Sequence, residues 1–199
     1  MSLRDRKRAR TRQALIDAAA ELFERKGYDE TTIADIAESA EIGARTFFNY
    51  FASKEELLFP EADSRIQAAL DAIATRTPHE GPADILLRAL GNTAVQSDDM
   101  VSPMAALRMR MMQTVPAVRG RALTLQLDAQ RRIAGPLAEA FPELDLVSAA
   151  ALTGAFMGAV SGALQALLDE ADQTDPAALQ AAIQTATEVA LAPWRVRAR

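Results

Sequence analysis

The chain has 199 residues, 49% of them hydrophobic and 25% charged, a balance that suits a soluble globular protein of one or two domains. It has no cysteine, which excludes disulfides, thiolate zinc sites and a cysteine nucleophile. The net charge of −5 is unevenly spread: Arg4, Arg6, Lys7, Arg8, Arg10 and Arg12 against Asp5 put +5 on residues 1–12 and leave −10 on the rest, as suits a protein that meets phosphate at one end.

The opening MSLRDRKRARTR has no apolar signal core, and no run of eighteen apolar residues is free of polar interruption. A cytoplasmic protein without a membrane partner is expected. Periodicity is helical throughout, with alanine, leucine, glutamine and glutamate dominant and no sustained alternation of β-branched residues. The expected fold is all-α, with about nine helices: an N-terminal three-helix helix-turn-helix head and a C-terminal helical bundle.

A first helix running to about Arg25 places Leu15, Ala19, Leu22 and Phe23 on one face, and Gly27 stops it. Thr32 with Asp35 reads as a capping box opening a second helix, which turns Ile33, Ile36, Ala37 and Ala40 inward. Glu41-Ile42-Gly43 is a tight turn, and Ala44–Phe51 a third helix. Ser53-Lys54-Glu55-Glu56 reads as another capping box, opening a fourth helix that Pro60 must kink or break. After the loop at 77–82, helices are expected at roughly 83–97, 103–114, 117–140, 145–170 and 176–192, with Ser102-Pro103 and Asp175-Pro176 as cap-plus-proline starts. The domain boundary falls at residue 60: a head over 1–60, with a basic arm at 1–12, and a larger helical bundle over 61–199.

On a helix at about 100° per residue, Phe47 and Phe51 fall together and must face the core, and Asn49 lies opposite. Arg45 stands about 40° to one side of Asn49 and Thr46 about 60° to the other, with Phe48 and Tyr50 on the flanks. Arginine can grip guanine O6 and N7, asparagine adenine N6 and N7, and threonine offers a hydroxyl and a methyl. Thr32 sits where a helix N-terminus can meet a phosphate, and Tyr50 and Lys54 can reach one from the other side.

The segment Gly27-Tyr28-Asp29-Glu30-Thr31-Thr32-Ile33-Ala34-Asp35-Ile36-Ala37, followed by Thr46-Phe47-Phe48-Asn49-Tyr50-Phe51-Ala52-Ser53-Lys54-Glu55-Glu56-Leu57, resembles the DNA-binding domain of the TetR (tetracycline-repressor-like) family. The likeness covers about residues 9–60. It implies a double-stranded DNA partner, with Thr32, Gly43, Arg45, Thr46, Phe48, Asn49, Tyr50 and Lys54 at the interface. Two positions depart from the family pattern. Phe48 stands where a phosphate-contacting tyrosine is common, and Gly43 offers a backbone N–H where relatives often offer a hydroxyl.

The resemblance also implies a homodimer joined through the last two long helices, and a small-molecule effector that releases DNA. Gly154, Gly158 and Gly162 recur every four residues, and an interior helical glycine costs about 1 kcal/mol relative to alanine, so a close approach must compensate. That approach can be a dimer contact, packing within one chain, or a ligand; the last helix, with Ile183, would pair with it. Met104, Met111 and Met112, with Met100 and Met109, can shape a pocket for a largely apolar effector, with Arg108 on one wall, or simply fill core. No cofactor or metal is expected.

An enzyme is disfavoured: the one histidine, His79, lies in a Pro/Gly-flanked loop, and no P-loop, dinucleotide fingerprint, nucleophile elbow or metal-spaced cluster occurs. The expected function is a ligand-responsive homodimeric transcriptional regulator, a repressor, on a palindromic operator. The alternative is a helical protein-binding adaptor that keeps the head without its DNA function.

Overall fold

A computed structural model describes residues 2–96, 103–170 and 176–195. Met100, Ser102 and Asp175 lie outside them, and so do the two caps expected there. Among the described residues the chain forms nine α-helices and no strand. They are α1 Leu3–Lys26, α2 Ile33–Ser39, α3 Ala44–Phe47, α4 Ala62–Ala74, α5 Pro82–Gln96, α6 Pro103–Thr114, α7 Pro116–Ala140, α8 Leu146–Glu170 and α9 Pro176–Leu191. The all-α expectation holds, and α5 to α9 fall within a residue or so of their expected bounds.

The chain divides into two compact units, Met1–Pro60 with Pro103–Ala122, and Glu61–Ser102 with Leu123–Arg199. The chain passes from the first unit to the second after Pro60, and α6 with the start of α7 groups with the first unit.

In the first unit, α1 begins at once. Ser2 caps it, its hydroxyl accepting from the Asp5 N–H at 3.1 Å while the Asp5 carboxylate takes the Ser2 N–H at 3.0 Å. The described part of the basic arm is therefore helical. The α1 stripe buries Leu15, Ile16, Ala19, Leu22 and Phe23, and Gly27 ends the helix at φ +83, a conformation costly for any residue with a Cβ. Phe47, Phe51, Leu57 and Leu58 complete this core with Ile36. Leu107, Met111 and Val118 pack into the same cluster. Fully burying an aliphatic or aromatic side chain contributes roughly 1.5–3 kcal/mol, so these three are substantial parts of the head.

The second unit gathers Ile66, Ile73, Ile85, Leu86, Ile133, Leu137, Leu152 and Leu191. Helix α9 buries Leu179, Ile183, Thr187 and Leu191, one every four residues. Helix α8 is different. Leu146–Leu167 is long and apolar enough to cross a membrane by length and composition, with a mean hydropathy of 1.6, yet only 17% of that window is buried.

Candidate nucleic-acid interface

The turn between α2 and α3 sets the presentation of the reading segment. Ala40 donates to Ile36 O at 3.0 Å, and Ile42 reaches back to Ala37 O at 2.9 Å. Glu41 between them stands at φ +56, in the left-handed region that favours glycine. Helix α3 is shorter than expected. It ends at Phe47, and the chain continues through i→i+3 bonds from Asn49 N–H to Thr46 O (3.1 Å) and Tyr50 N–H to Phe47 O (2.9 Å). Tightening of this kind is usual at a helix C-terminus, and it rotates each residue slightly further than an α-helix does.

The expected division of faces survives that change. Phe47 and Phe51 are buried, and Arg45, Phe48 and Asn49 are exposed. Thr46 and Tyr50 are half-buried, so they are less available than the sequence suggests. Gly43 caps α3 without a side-chain bond and is exposed. Thr32 is exposed at the start of α2, where its hydroxyl accepts from the Asp35 N–H at 3.1 Å and the Asp35 carboxylate takes the Thr32 N–H at 3.0 Å. That pairing forms the predicted capping box and holds the Asp35 carboxyl below the usual range. The Thr32 N–H is thus already taken by Asp35.

Lys54 is tied down by its own chain. Its ammonium donates to Tyr28 O at 2.7 Å and Thr31 O at 3.0 Å and lies 4.0 Å from the centre of the Tyr28 ring. These contacts hold the α1–α2 loop, and they use two of the three N–H donors of the ammonium. The Tyr28 hydroxyl donates to the Glu55 carboxylate. Burial, followed by that bond, pushes the Tyr28 hydroxyl well above its ordinary value of 10.0. Burial works in the same upward direction on Glu55, but the hydrogen bonds from Ser53 and Tyr28 outweigh it and keep that carboxyl low.

The second capping box does not form. Residues Lys54–Leu58 make a 3₁₀ segment, and Ser53 makes no side-chain cap bond. Glu56 instead accepts from the Ala52 N–H at 2.7 Å and pairs with Arg121 at 2.7 Å. Pro60 then separates this segment from α4, as its missing donor requires.

Arg8 and Arg12 have roles that charge counting missed. The Arg8 guanidinium stands 5.7 Å from the centre of the Tyr50 ring, and Arg12 stands 5.2 Å from that of Phe51 and donates to Pro60 O at 2.7 Å. The signal was their spacing: Arg4, Arg8 and Arg12 form one i, i+4 stripe on α1.

Met104, Met111 and Met112 of α6, which by sequence can shape an effector pocket or fill core, sit in and against the core of the head. Met111 is buried in the core of the head, and Met104 and Met112 pack half-buried against it. Arg108 is 6% exposed, donating to Leu58 O at 3.1 Å with its guanidinium 5.9 Å from the centre of the Phe59 ring. Arg110, on the other side of α6, pairs with Glu24 at 3.2 Å. Leu107, Met111 and Arg108 all serve packing in the first unit, the second of the two uses that the sequence leaves open for this stretch.

On α8, Gly154 meets the Gln130 side chain, which would lie 2.9 Å from an added Cβ. Gly158 and Gly162 are exposed, and a Cβ on either would find nothing of this chain within 4 Å. Close packing within one chain therefore accounts for the first glycine and not for the other two. Ile183 is buried in α9 at 2% exposure.

The sequence profile described as "Bacterial regulatory proteins, tetR family" matches residues 15–59, the span that carries this face. The chain is 39% identical over 122 residues to the HTH-type transcriptional regulator TcmR of Streptomyces glaucescens, covering 59% of this chain and 53% of that protein. It is 34% identical over 103 residues to the HTH-type transcriptional regulator TtgR of Pseudomonas putida, covering 52% and 40%. It thus spans about half or less of the length of these relatives. Among solved structures, the fatty acid degradation regulator FadR from Bacillus halodurans is similar with a TM-score of 0.58 at 18% identity, covering 94% of this chain and 97% of that one. FadR of Thermus thermophilus, a TetR-family transcriptional repressor solved in complex with lauroyl-CoA, is similar with a TM-score of 0.54 at 20% identity over 94% and 97%. At these identities the likeness is one of fold.

Proposed function

The chain belongs to the tetR family of bacterial regulatory proteins through its N-terminal domain, and from that premise we propose that it is a homodimeric, ligand-responsive repressor of transcription acting in the cytoplasm. One observation carries the DNA-binding part: Arg45 and Asn49 stand exposed on a segment whose Phe47 and Phe51 are locked in the core. Those are side chains able to make bidentate contacts to guanine and adenine, on a short rigid projection. The helical basic stretch of α1, with Arg8 beside Tyr50, supplies phosphate-attracting charge next to it. Thr32, Gly43, Tyr50 and the remaining donor of Lys54 are the proposed phosphate contacts, and Thr46 borders the base-reading pair.

A single head reads only a few base pairs, so two copies are needed. The proposed joint is the apolar outer side of α8 around Gly158 and Gly162, with α9 beside it. It is supported by an apolar helix of which its own chain fully buries only 17%, with both glycines exposed. The effector is proposed to be largely apolar and to bind the second unit, where half-buried Leu70, Leu87, Phe156 and Met157 border the core. The relative from Thermus thermophilus, with its lauroyl-CoA, supports that chemistry by analogy of fold alone.

The test is selection of bound duplexes from a random pool at low salt, repeated with lauroyl-CoA present. A regulator of this kind enriches a palindrome whose half-sites lie about one helical turn of DNA apart, near 34–36 Å, or a multiple of that. Enrichment of no duplex would overturn the DNA-binding reading in favour of the protein-binding adaptor. An operator that stays bound in lauroyl-CoA would remove acyl thioesters as the effector class.

A further inference from the structure

Leu3 and Phe48 are the large hydrophobic side chains that the described residues of the first unit leave exposed. Leu3 lies at the very start of α1. Phe48 sits on the segment that carries Arg45 and Asn49, and the residue is 58% exposed. It is not a loose side chain. Its ring meets that of Phe47 edge-on, with centroids 5.4 Å apart and planes at 80°, and Phe47 packs in turn on Phe51 at 5.9 Å. Its backbone is helical at φ −67 and ψ −8, and the bonds from Asn49 and Tyr50 to Thr46 O and Phe47 O hold the turn around it. A row of aromatic rings thus runs from the core to the surface and ends on the same outward side as Arg45 and Asn49.

A ring already fixed in this way loses little freedom on docking, so its buried area translates efficiently into affinity. It has no hydrogen-bonding atom, so what it recognises must be apolar. The major groove exposes one such group, the C5-methyl of thymine. We propose that Phe48 is a specificity-determining residue that packs on a thymine methyl beside the base edges read by Arg45 and Asn49. This rests on the DNA-binding reading above and adds a base preference to it. Packing on a sugar would be blind to sequence; packing on the methyl is not.

The probe is the duplex enriched by the random-pool selection, with each thymine replaced in turn by deoxyuridine. That change deletes the methyl and leaves every hydrogen-bonding edge in place. At one thymine in each half-site, replacement should weaken binding of the unmodified protein by about fourfold, the worth of one buried methyl group. Phe48→Ala should bind the thymine duplex about as weakly as the original protein binds the uracil duplex, with no further loss on uracil. Phe48→Leu should retain part of the discrimination. Both variants should keep the helical circular dichroism of the parent, since Phe48 is exposed and the cluster that its ring borders is buried without it. Indifference of the parent protein to every replacement overturns the proposal, as does a Phe48→Ala protein that still discriminates thymine from uracil. Equal weakening of Phe48→Ala on all sequences marks a sugar contact and also overturns it. Those results leave the DNA-binding reading standing, whereas a pool from which no duplex is enriched removes both.

Discussion

Lys54 is where the family expectation and the geometry diverge, and Lys54→Met separates them. Methionine keeps most of the stem and deletes the ammonium, and with it the bonds to Tyr28 O at 2.7 Å and Thr31 O at 3.0 Å and the contact with the Tyr28 ring. A hydrogen bond from a charged group contributes about 1.5–3 kcal/mol, and a cation over a ring about 0.5–1 kcal/mol at an exposed site. Lys54 is only half-buried, so water can replace part of what is lost. Two bonds at the low end and the ring contact set a ceiling of about 3.5 kcal/mol, and the part that water restores brings the expected loss to about 2–3 kcal/mol. Urea denaturation followed by far-UV circular dichroism measures it. A variant within about 0.5 kcal/mol of the parent, the range of ordinary surface substitutions, would refute the clamp. The same protein tests the proposed phosphate contact of the third donor. Its plot of log binding constant against log salt should be shallower by about 0.9, the value of one neutralised phosphate. An unchanged slope would reject that contact and leave the clamp untouched.

Arg45→Ala or Asn49→Ala should each cost about 1–3 kcal/mol at one base pair per half-site and relax preference there, measured by competition with single-base variants of the selected duplex; equal loss on all sequences would demote them to phosphate contacts. Glu41→Gly should stabilise the head by about 0.5–1 kcal/mol. Left-handed backbone costs a residue with a Cβ about 1–2 kcal/mol, and glycine returns roughly half of that gain as chain entropy. Glu41→Ala, which keeps the strain, should show no such gain in the same denaturation assay. Gly158→Leu should sediment as a monomer with unchanged helicity, because an added side chain meets nothing of its own chain there; an intact dimer would place the joint elsewhere. Asp5 and Asp35 are held below their ordinary 3.8, Asp5 first by the Ser2 hydroxyl and Asp35 first by the Thr32 N–H. A depressed carboxyl adds stability that is complete above its unfolded value and disappears as pH falls through the lower folded one. Helicity followed from about pH 6 to pH 2 should therefore fall below pH 3.8 later in Asp35→Asn than in the parent once both are referred to their neutral-pH stabilities; identical acid transitions would remove Asp35 from the acid response.

The sequence was informative wherever one residue's chemistry decided the outcome locally. Gly27 stops α1 and Thr32 with Asp35 opens α2, because caps are satisfied by residues within a turn. The inward pair Phe47 and Phe51 followed from periodicity. What was not legible depended on partners far along the chain. Ser53 and Glu56 have the spacing of a capping box, but Glu56 bonds Ala52 and Arg121, and nothing near residue 56 announces residue 121. The methionines of α6 show the same thing. Their composition fits a pocket and a core equally well, and only tertiary packing of α6 on α1 and on the Lys54–Leu58 segment puts Leu107 and Met111 in the core. Lys54 matched its family position by sequence, yet its nearest acceptors are backbone carbonyls, which carry no mark in a sequence.

The shortness of α3 makes these supports part of the reading mechanism. Four residues are far below the length at which a helix is stable alone, so the segment holds its shape only through what it packs against. Phe47 and Phe51 anchor it from below, Arg8 and Arg12 brace its end, and Lys54 fixes the loop that enters α2. On the proposed reading, Arg45, Phe48 and Asn49 need little ordering of their own to meet DNA, because those buried and bridging residues have already set the backbone that carries them. A substitution at Phe47 or Arg12 should therefore weaken DNA binding without changing which bases are preferred, and this pattern distinguishes the platform from the side chains it presents.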